Sequence, residues 1–172
     1  LTQAYIDSRV VLQNQILARM RSLGMKPVLQ GYAGMVPINF ATKQPTATVN
    51  AQPTWVSLYQ RPPVLTGAMV DQVAQKWYEK SKALFGDVEF YGGDVFHEGG
   101  TVPTGLNLAN YATQLQAKML QASPNATWVL QAWQTNPKQE FINGLKKDQT
   151  LILDYSNDVY GFWKSRAGFG GY

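Results

Sequence analysis

The sequence predicts a parallel α/β fold, and three observations predict it. Short apolar runs at residues 27–29, 88–91, 127–130 and 150–153 alternate with segments of helical spacing. The runs are mainly apolar, without the in-and-out alternation of a half-solvated sheet, so the strands are expected to be covered on both faces. Each run also hands over at its C-terminal end to polar or aromatic groups: Tyr32, Asp94 to Glu98, Gln131 to Trp133, and Asp154 with Tyr155. In a parallel β/α fold those ends share one face, and that face holds the site. An open doubly wound sheet and a closed barrel both satisfy the pattern. No Gly-x-Gly-x-x-Gly turn follows a strand, which removes support from a dinucleotide site.

The elements follow in order. Leu12, Ile16, Met20 and Leu23 are spaced along one face of a helix, and Gly24 is placed to cap it. The strand at 27–29 runs into the turn-rich stretch 31–37. Residues 39–63 hold many Thr, Gln and Pro with little periodicity and read as a long irregular excursion. Helical spacing returns at Met69, Val73, Trp77 and Leu84, closed by Gly86. After the strand at 88–91 comes a glycine-flanked loop, 92–100, and then a helix with Leu108, Tyr111, Leu115 and Met119 on one face. Ser123-Pro124 stops that helix. Beyond the strand at 127–130, Asn136-Pro137 has the form of a helix start, and Phe141, Ile142 and Leu145 give the helix an apolar face. The last strand, 150–153, ends at Asp154. Residues 161–172 are rich in glycine and aromatics and show no element.

Composition bounds the function. The chain has 172 residues, 45% hydrophobic and 15% charged, so it folds around a sizeable core. It is short for a complete β/α barrel, which takes about 250 residues. The net charge is +4, but Lys and Arg are dispersed along the chain rather than clustered, which argues against nucleic acid as a partner. There is no cysteine and no apolar run long enough for a membrane span. His97 is the sole histidine, so a metal site at His97, Glu98 and Asp94 lacks ligands, and neither metal nor cofactor is expected.

Glu98 is the sharpest chemical candidate. Its flanking glycines let a bulky ligand approach the backbone. Nearby Tyr91 and Phe96 would desolvate its carboxyl and suit it to general-acid work. A merely solvated loop glutamate is the plain alternative. His97 would donate to a substrate hydroxyl or to Glu98, or simply pack. Trp133 and Tyr155 are placed to offer flat faces to a sugar ring, whereas Trp55, Trp77 and Trp128 read as packing residues. Asn125-Ala126-Thr127 matches a glycosylation sequon, a weak signal on its own.

Specific strings then resemble a known family. The stretch from Ile16 to Leu29, continuing through Gly31-Tyr32-Ala33-Gly34-Met35-Val36-Pro37, is similar to glycoside hydrolase family 89, the α-N-acetylglucosaminidases. Tyr91-Gly92-Gly93-Asp94-Val95-Phe96-His97-Glu98 looks like that family's acid/base loop. Trp128 to Trp133 and Leu151 to Asp154 resemble its next two strands. The strings occur in family order, and together they are specific.

The resemblance implies that residues 1–172 are a single segment of a (β/α)8 TIM-type barrel that removes terminal α-linked N-acetylglucosamine from glycans with retention. Glu98 would be the general acid/base, with His97, Trp133, Tyr32 and Tyr155 as substrate contacts. The nucleophile lies, in the family, beyond the reach of this chain. The remaining part of the catalytic domain is therefore an expected partner, and residues 1–172 alone are expected to be inactive. The parent protein is expected to be exported or lysosomal. Residues 44–59 and the segment after Asp154 depart from the family pattern. The rival readings are a carbohydrate-binding α/β domain without catalysis and an α/β domain binding a nucleotide or protein.

Overall fold

The computed structural model describes residues 2–96, 99–155 and 161–172. Its centre is a four-stranded sheet of β1 (Val28–Gln30), β6 (Phe90–Gly92), β7 (Thr127–Ala132) and β8 (Thr150–Asp154), in that spatial order and all parallel. Helices α1 (Gln3–Ser22), α3 (Met69–Phe85), α4 (Leu108–Ala122) and α5 (Gln139–Ile142) separate or precede these strands.

The register decides between the two parallel architectures. Leu29, Tyr91, Trp128 and Leu130 lie on one face of the sheet, and all are buried against Leu17, Ala74, Tyr78, Leu115, Met119 and Phe141 of the helices. On the opposite face Val28, Leu151 and Leu153 are 51%, 43% and 46% exposed. A doubly wound sheet places helices on both faces. Here the helices cover a single face, and the other face carries apolar residues that a closed barrel would enclose. The strands are largely apolar, as expected, but among the described residues the helices pack on only one of their faces.

Two of the helices turn a different face inward from the one their spacing suggests. In α1 the buried residue is Leu17, while Leu12 and Ile16 are exposed. In α3 the buried residues are Val70, Ala74 and Tyr78, one position on from Met69, Val73 and Trp77. The short side chain of Ala74 allows close approach to the sheet, and Tyr78 meets Tyr91 edge-on at 5.1 Å. In α4 the spacing and the burial coincide at Leu108, Tyr111, Leu115 and Met119. Its Asn107 cap accepts a hydrogen bond from the Asn110 N–H, 2.9 Å away.

Three expectations are corrected. The excursion is structured: β2 (Thr48–Asn50) pairs with β5 (Val64–Thr66), and β3 (Thr54–Trp55) with β4 (Tyr59–Gln60), both antiparallel. A short helix, α2 (Phe40–Lys43), precedes them. Asn136-Pro137 does not open a helix. Asn136 is occupied in two backbone hydrogen bonds with Trp133, and α5 begins only at Gln139, after Lys138. The C-terminal stretch folds into a short helix, α6 (Phe162–Ser165), followed over Ala167–Gly171 by a turn at positive φ, with Phe169 buried beside Ala132 and Ile142. There the Tyr172 hydroxyl lies 2.7 Å from the Ile142 carbonyl and 2.8 Å from that of Leu145.

Candidate functional site

Because the four strands are parallel, their C-terminal ends gather on one edge of the layer. The loop after β6 is fixed there by direct contacts with β7. The Trp128 indole N–H donates to the Gly93 carbonyl at 2.9 Å, and the Gln131 backbone N–H donates to Asp94 Oδ1 at 2.9 Å. Asp94 therefore acts as an acceptor that ties the loop to the tip of β7, two residues before Trp133.

Glycine shapes the far side of the same loop. Gly99 has a φ of +77°, and a Cβ on Gly100 would sit 2.8 Å from the Phe96 Cα. Residues 96 and 100 are thus in close contact, and only glycine fits at position 100. His97 and Glu98, enclosed by these flanks in sequence, lie outside the described residues.

Trp133 and Tyr155 come together. Their rings meet edge-on with centroids 5.0 Å apart. The Tyr155 backbone N–H donates to the Ala132 carbonyl, which seats it beside β7. Tyr155 is largely exposed, whereas the Trp133 indole nitrogen is enclosed and has no hydrogen-bond partner among the described residues. Asp154, paired with Ala132 in the ladder, accepts from the Trp163 N–H at 2.8 Å through Oδ2, while Oδ1 is enclosed without a partner among the described residues.

Tyr32 lies deeper. It is 2% exposed, and its ring tilts against Trp77 at 6.1 Å. Its backbone N–H donates to the Tyr78 hydroxyl. Its own hydroxyl has no partner among the described residues, and burial pushes its pKa well above the usual phenol range.

A hollow of about 200 Å³ opens beside Asp94 and Gly100, walled by Gln52, Trp55, Tyr59 and Arg61. Trp55 and Tyr59 face each other across the β3–β4 turn at 5.7 Å. Trp55, which the sequence suggested was a packing residue, is half-buried on this wall. The mixture of aromatic faces, amides and a guanidinium is the lining expected of a hydroxyl-rich ligand site. The sequence carried one signal for it: an apolar aromatic on each side of a short turn, at Trp55 and Tyr59. Among the described residues no group of three His, Cys, Asp or Glu is arranged to hold a metal ion, and no helix is long and apolar enough to cross a membrane.

Comparison with known proteins places this arrangement. The family model of the alpha-N-acetylglucosaminidase TIM-barrel domain matches residues 1–172. Human alpha-N-acetylglucosaminidase is 24% identical over 188 residues, covering 95% of this chain and 24% of the human protein. The family 89 glycoside hydrolase of Clostridium perfringens, solved with 2-acetamido-1,2-dideoxynojirmycin, superimposes with a TM-score of 0.88 at 38% identity, over 95% of this chain and 19% of that one. A variant of the clostridial protein with two Glu-to-Gln substitutions, solved with its substrate GlcNAc-α-1,4-galactose, gives 0.88 at 37% identity, over 96% of this chain and 19% of that one. The chain thus spans about a quarter or less of the length of these relatives. With helices on a single face of a parallel sheet and the family's strings in order along it, the chain belongs to the alpha-N-acetylglucosaminidase TIM-barrel family, glycoside hydrolase family 89, and forms part of its catalytic barrel.

Proposed function

We propose that this chain supplies the acid/base part of a retaining exo-glycosidase that releases terminal α-linked N-acetylglucosamine, with Glu98 as the proton donor. One observation carries the reading. The Asp94–Gln131 hydrogen bond ties the segment that precedes Glu98 in sequence to the strand tip that leads to Trp133, which supports a shared edge for the acid and the aromatic group. The substrate named for the clostridial relative, GlcNAc-α-1,4-galactose, is of the matching class.

In the first step the Glu98 proton passes to the glycosidic oxygen as the C1–O bond breaks, and the bonding pair leaves with that oxygen. A second carboxylate, supplied by another part of the full-length protein, attacks C1 from the opposite face, about 5 to 5.5 Å from the first. In the second step the Glu98 carboxylate takes a proton from a water that attacks C1, and the carboxylate nucleophile departs. The clostridial substrate complex was obtained with two glutamates replaced, which agrees with a pair of carboxyl groups acting together. Trp133 and Tyr155 present the aromatic wall, and His97 is assigned to a sugar hydroxyl. Tyr32 is assigned to the inner end of the same strand edge, its hydroxyl without a hydrogen-bond partner among the described residues.

The bare face of the sheet, with Val28, Leu151 and Leu153, receives the rest of the barrel. A glycan substrate fits an exported or lysosomal parent. In the full-length protein, Glu98→Gln should lower kcat/KM on an α-N-acetylglucosaminide by about 10²- to 10⁴-fold, the range of general acid–base catalysis. An unchanged rate would leave a binding domain instead.

A further inference from the structure

Gln52 lies between β2 and β3, 49 positions from Thr101 in sequence, and is 6% exposed. Its side-chain amide pairs with the backbone of Thr101 through two reciprocal hydrogen bonds. The Thr101 N–H donates to Gln52 Oε1 at 2.9 Å, and Gln52 Nε2 donates to the Thr101 carbonyl at 3.1 Å. Thr101 follows Glu98 by three residues. We propose that Gln52 is a positioning residue that sets the direction of proton donation by clamping the C-terminal flank of the acid/base loop. This rests on the reading of Glu98 given above.

The loop is secured at both ends and by different parts of the fold. Before residues 97 and 98, Gly93 and Asp94 are bonded to β7. After them, the backbone of Thr101 is held by the Gln52 side chain. With glycine at positions 99 and 100, the chain between the clamp and Glu98 has the widest backbone freedom. The two bonds from Gln52 therefore oppose that backbone freedom from the C-terminal side.

The clamp has a firm base. β2 pairs with β5, whose Leu65 is fully buried, and the Leu65 N–H donates to the Gly34 carbonyl at 2.9 Å. Asn50, two residues before Gln52, donates to the Val64 carbonyl and to Thr66 Oγ1. On the other side the Gln60 amide donates to the Gln52 carbonyl, and the Arg61 guanidinium donates to the Pro53 carbonyl. Gln52 is therefore held on both sides, and a buried amide with donor and acceptor both engaged has a single productive orientation.

A positioning role for an acid has a signature that a general role in folding lacks. Protonation matters when the leaving group is a sugar alkoxide and matters little when it is fluoride, a weakly basic anion. The test measures kcat/KM of the full-length protein on GlcNAc-α-1,4-galactose and on α-N-acetylglucosaminyl fluoride, for Gln52→Leu, Gln52→Glu and Glu98→Gln. Misplacing a reacting group by about 1 Å costs about 10²-fold. Gln52→Leu should accordingly lose about 30-fold or more on the disaccharide and no more than about 3-fold on the fluoride. Gln52→Glu keeps the volume and the acceptor for the Thr101 N–H, so it guards against misfolding and should show the same selectivity at smaller amplitude. Equal losses on both substrates, or none, with Glu98→Gln still selective, overturn the role of Gln52 alone. Loss of selectivity in Glu98→Gln overturns the reading of Glu98 and the assignment of Gln52 with it.

Discussion

Asp94 and Gln131 are 37 positions apart in sequence, and a 2.9 Å hydrogen bond from the Gln131 backbone N–H to Asp94 Oδ1 joins the loop after β6 to the tip of β7. A carboxylate accepting from a backbone N–H makes a strong local bond, and it sets the height of the loop against the neighbouring strand. Asp94→Ala in the full-length protein should cost about 1 kcal/mol of stability, because water can reach the freed N–H at this exposed tip. It should cost more in rate, about 10-fold or more in kcat with KM little changed, as the loop loses its reference point. Asp94→Asn retains an acceptor oxygen and should stay within a few-fold of the parent. If Asn is as damaging as Ala, the geometry of this bond is not what the loop depends on.

Gly34 and Tyr111 form a second close pair. Gly34 has a φ of +88°, and a Cβ added to it would meet the Tyr111 hydroxyl at 2.0 Å. That hydroxyl donates to the Leu65 carbonyl at 2.7 Å and has little room to yield. Gly34→Ala combines backbone strain with overpacking and should destabilise by about 2 kcal/mol or more. Tyr111→Phe removes the hydrogen bond and should cost about 1 kcal/mol. In the double variant the clash is relieved, so the losses should sum to less than the two single values, by about 1 kcal/mol. Thermal midpoints of the four proteins provide the cycle, and strict additivity would remove the contact from the account.

What the sequence revealed and what it concealed divide along physical lines. The parallel strands were legible because buried strands must be apolar, and β7 and β8 appear at the expected places. β6 is displaced by two residues, since Val88 is buried without joining the ladder. The inward faces of α1 and α3 were misread because exposed apolar residues, such as Leu12 and Trp77, repeat at helical spacing as regularly as the buried ones. The β3–β4 hairpin was hidden for another reason. Its turn places Val56 and Ser57 at positive φ, positions that usually announce themselves by glycine or asparagine. With the turn unrecognised, Trp55 and Gln52 had no site to belong to. The clamp on Thr101 could not be read at all, since it pairs a side chain with a backbone group in a distant segment.

Three buried phenols give the protein an alkaline limit. Burial raises the pKa of Tyr32, Tyr78 and Tyr111 above their ordinary value, and the Tyr32 N–H bonded to the Tyr78 hydroxyl only partly opposes it at Tyr78. The native state therefore keeps three protons that the unfolded chain releases above about pH 10. Stability from these groups is complete below that pH and is lost as pH rises toward the folded-state values, at about 1.4 kcal/mol per pH unit for each phenol. Tyr32→Phe is the informative variant, because the Tyr32 hydroxyl has no hydrogen-bond partner among the described residues. It should match or exceed the parent in stability at pH 7 and fall less steeply between pH 10 and pH 11 (a slope smaller by about one proton). A loss of more than about 1 kcal/mol at pH 7 would mean that the hydroxyl has a structural partner after all.

Trp133 is the aromatic group on which the sugar-binding reading leans most heavily. Its ring is half-buried, its enclosed indole N–H lacks a partner among the described residues, and Tyr155 supports it from the side. A polar hydrogen enclosed at a strand tip without an acceptor is costly, so the indole nitrogen contributes little to holding the ring in place. Trp133→Phe keeps a flat face and removes the donor, and it should stay within a few-fold of the parent in kcat/KM. Trp133→Ala removes both, and a loss of about 10- to 100-fold in kcat/KM is expected, roughly 1.4 to 2.8 kcal/mol. Tyr155→Ala should produce a smaller loss in the same direction, since it acts by steadying the indole. Should all three variants shift the melting temperature while leaving kcat/KM on GlcNAc-α-1,4-galactose untouched, Trp133 and Tyr155 are a packing pair at the end of β7, and the sugar must be held by other residues of the barrel.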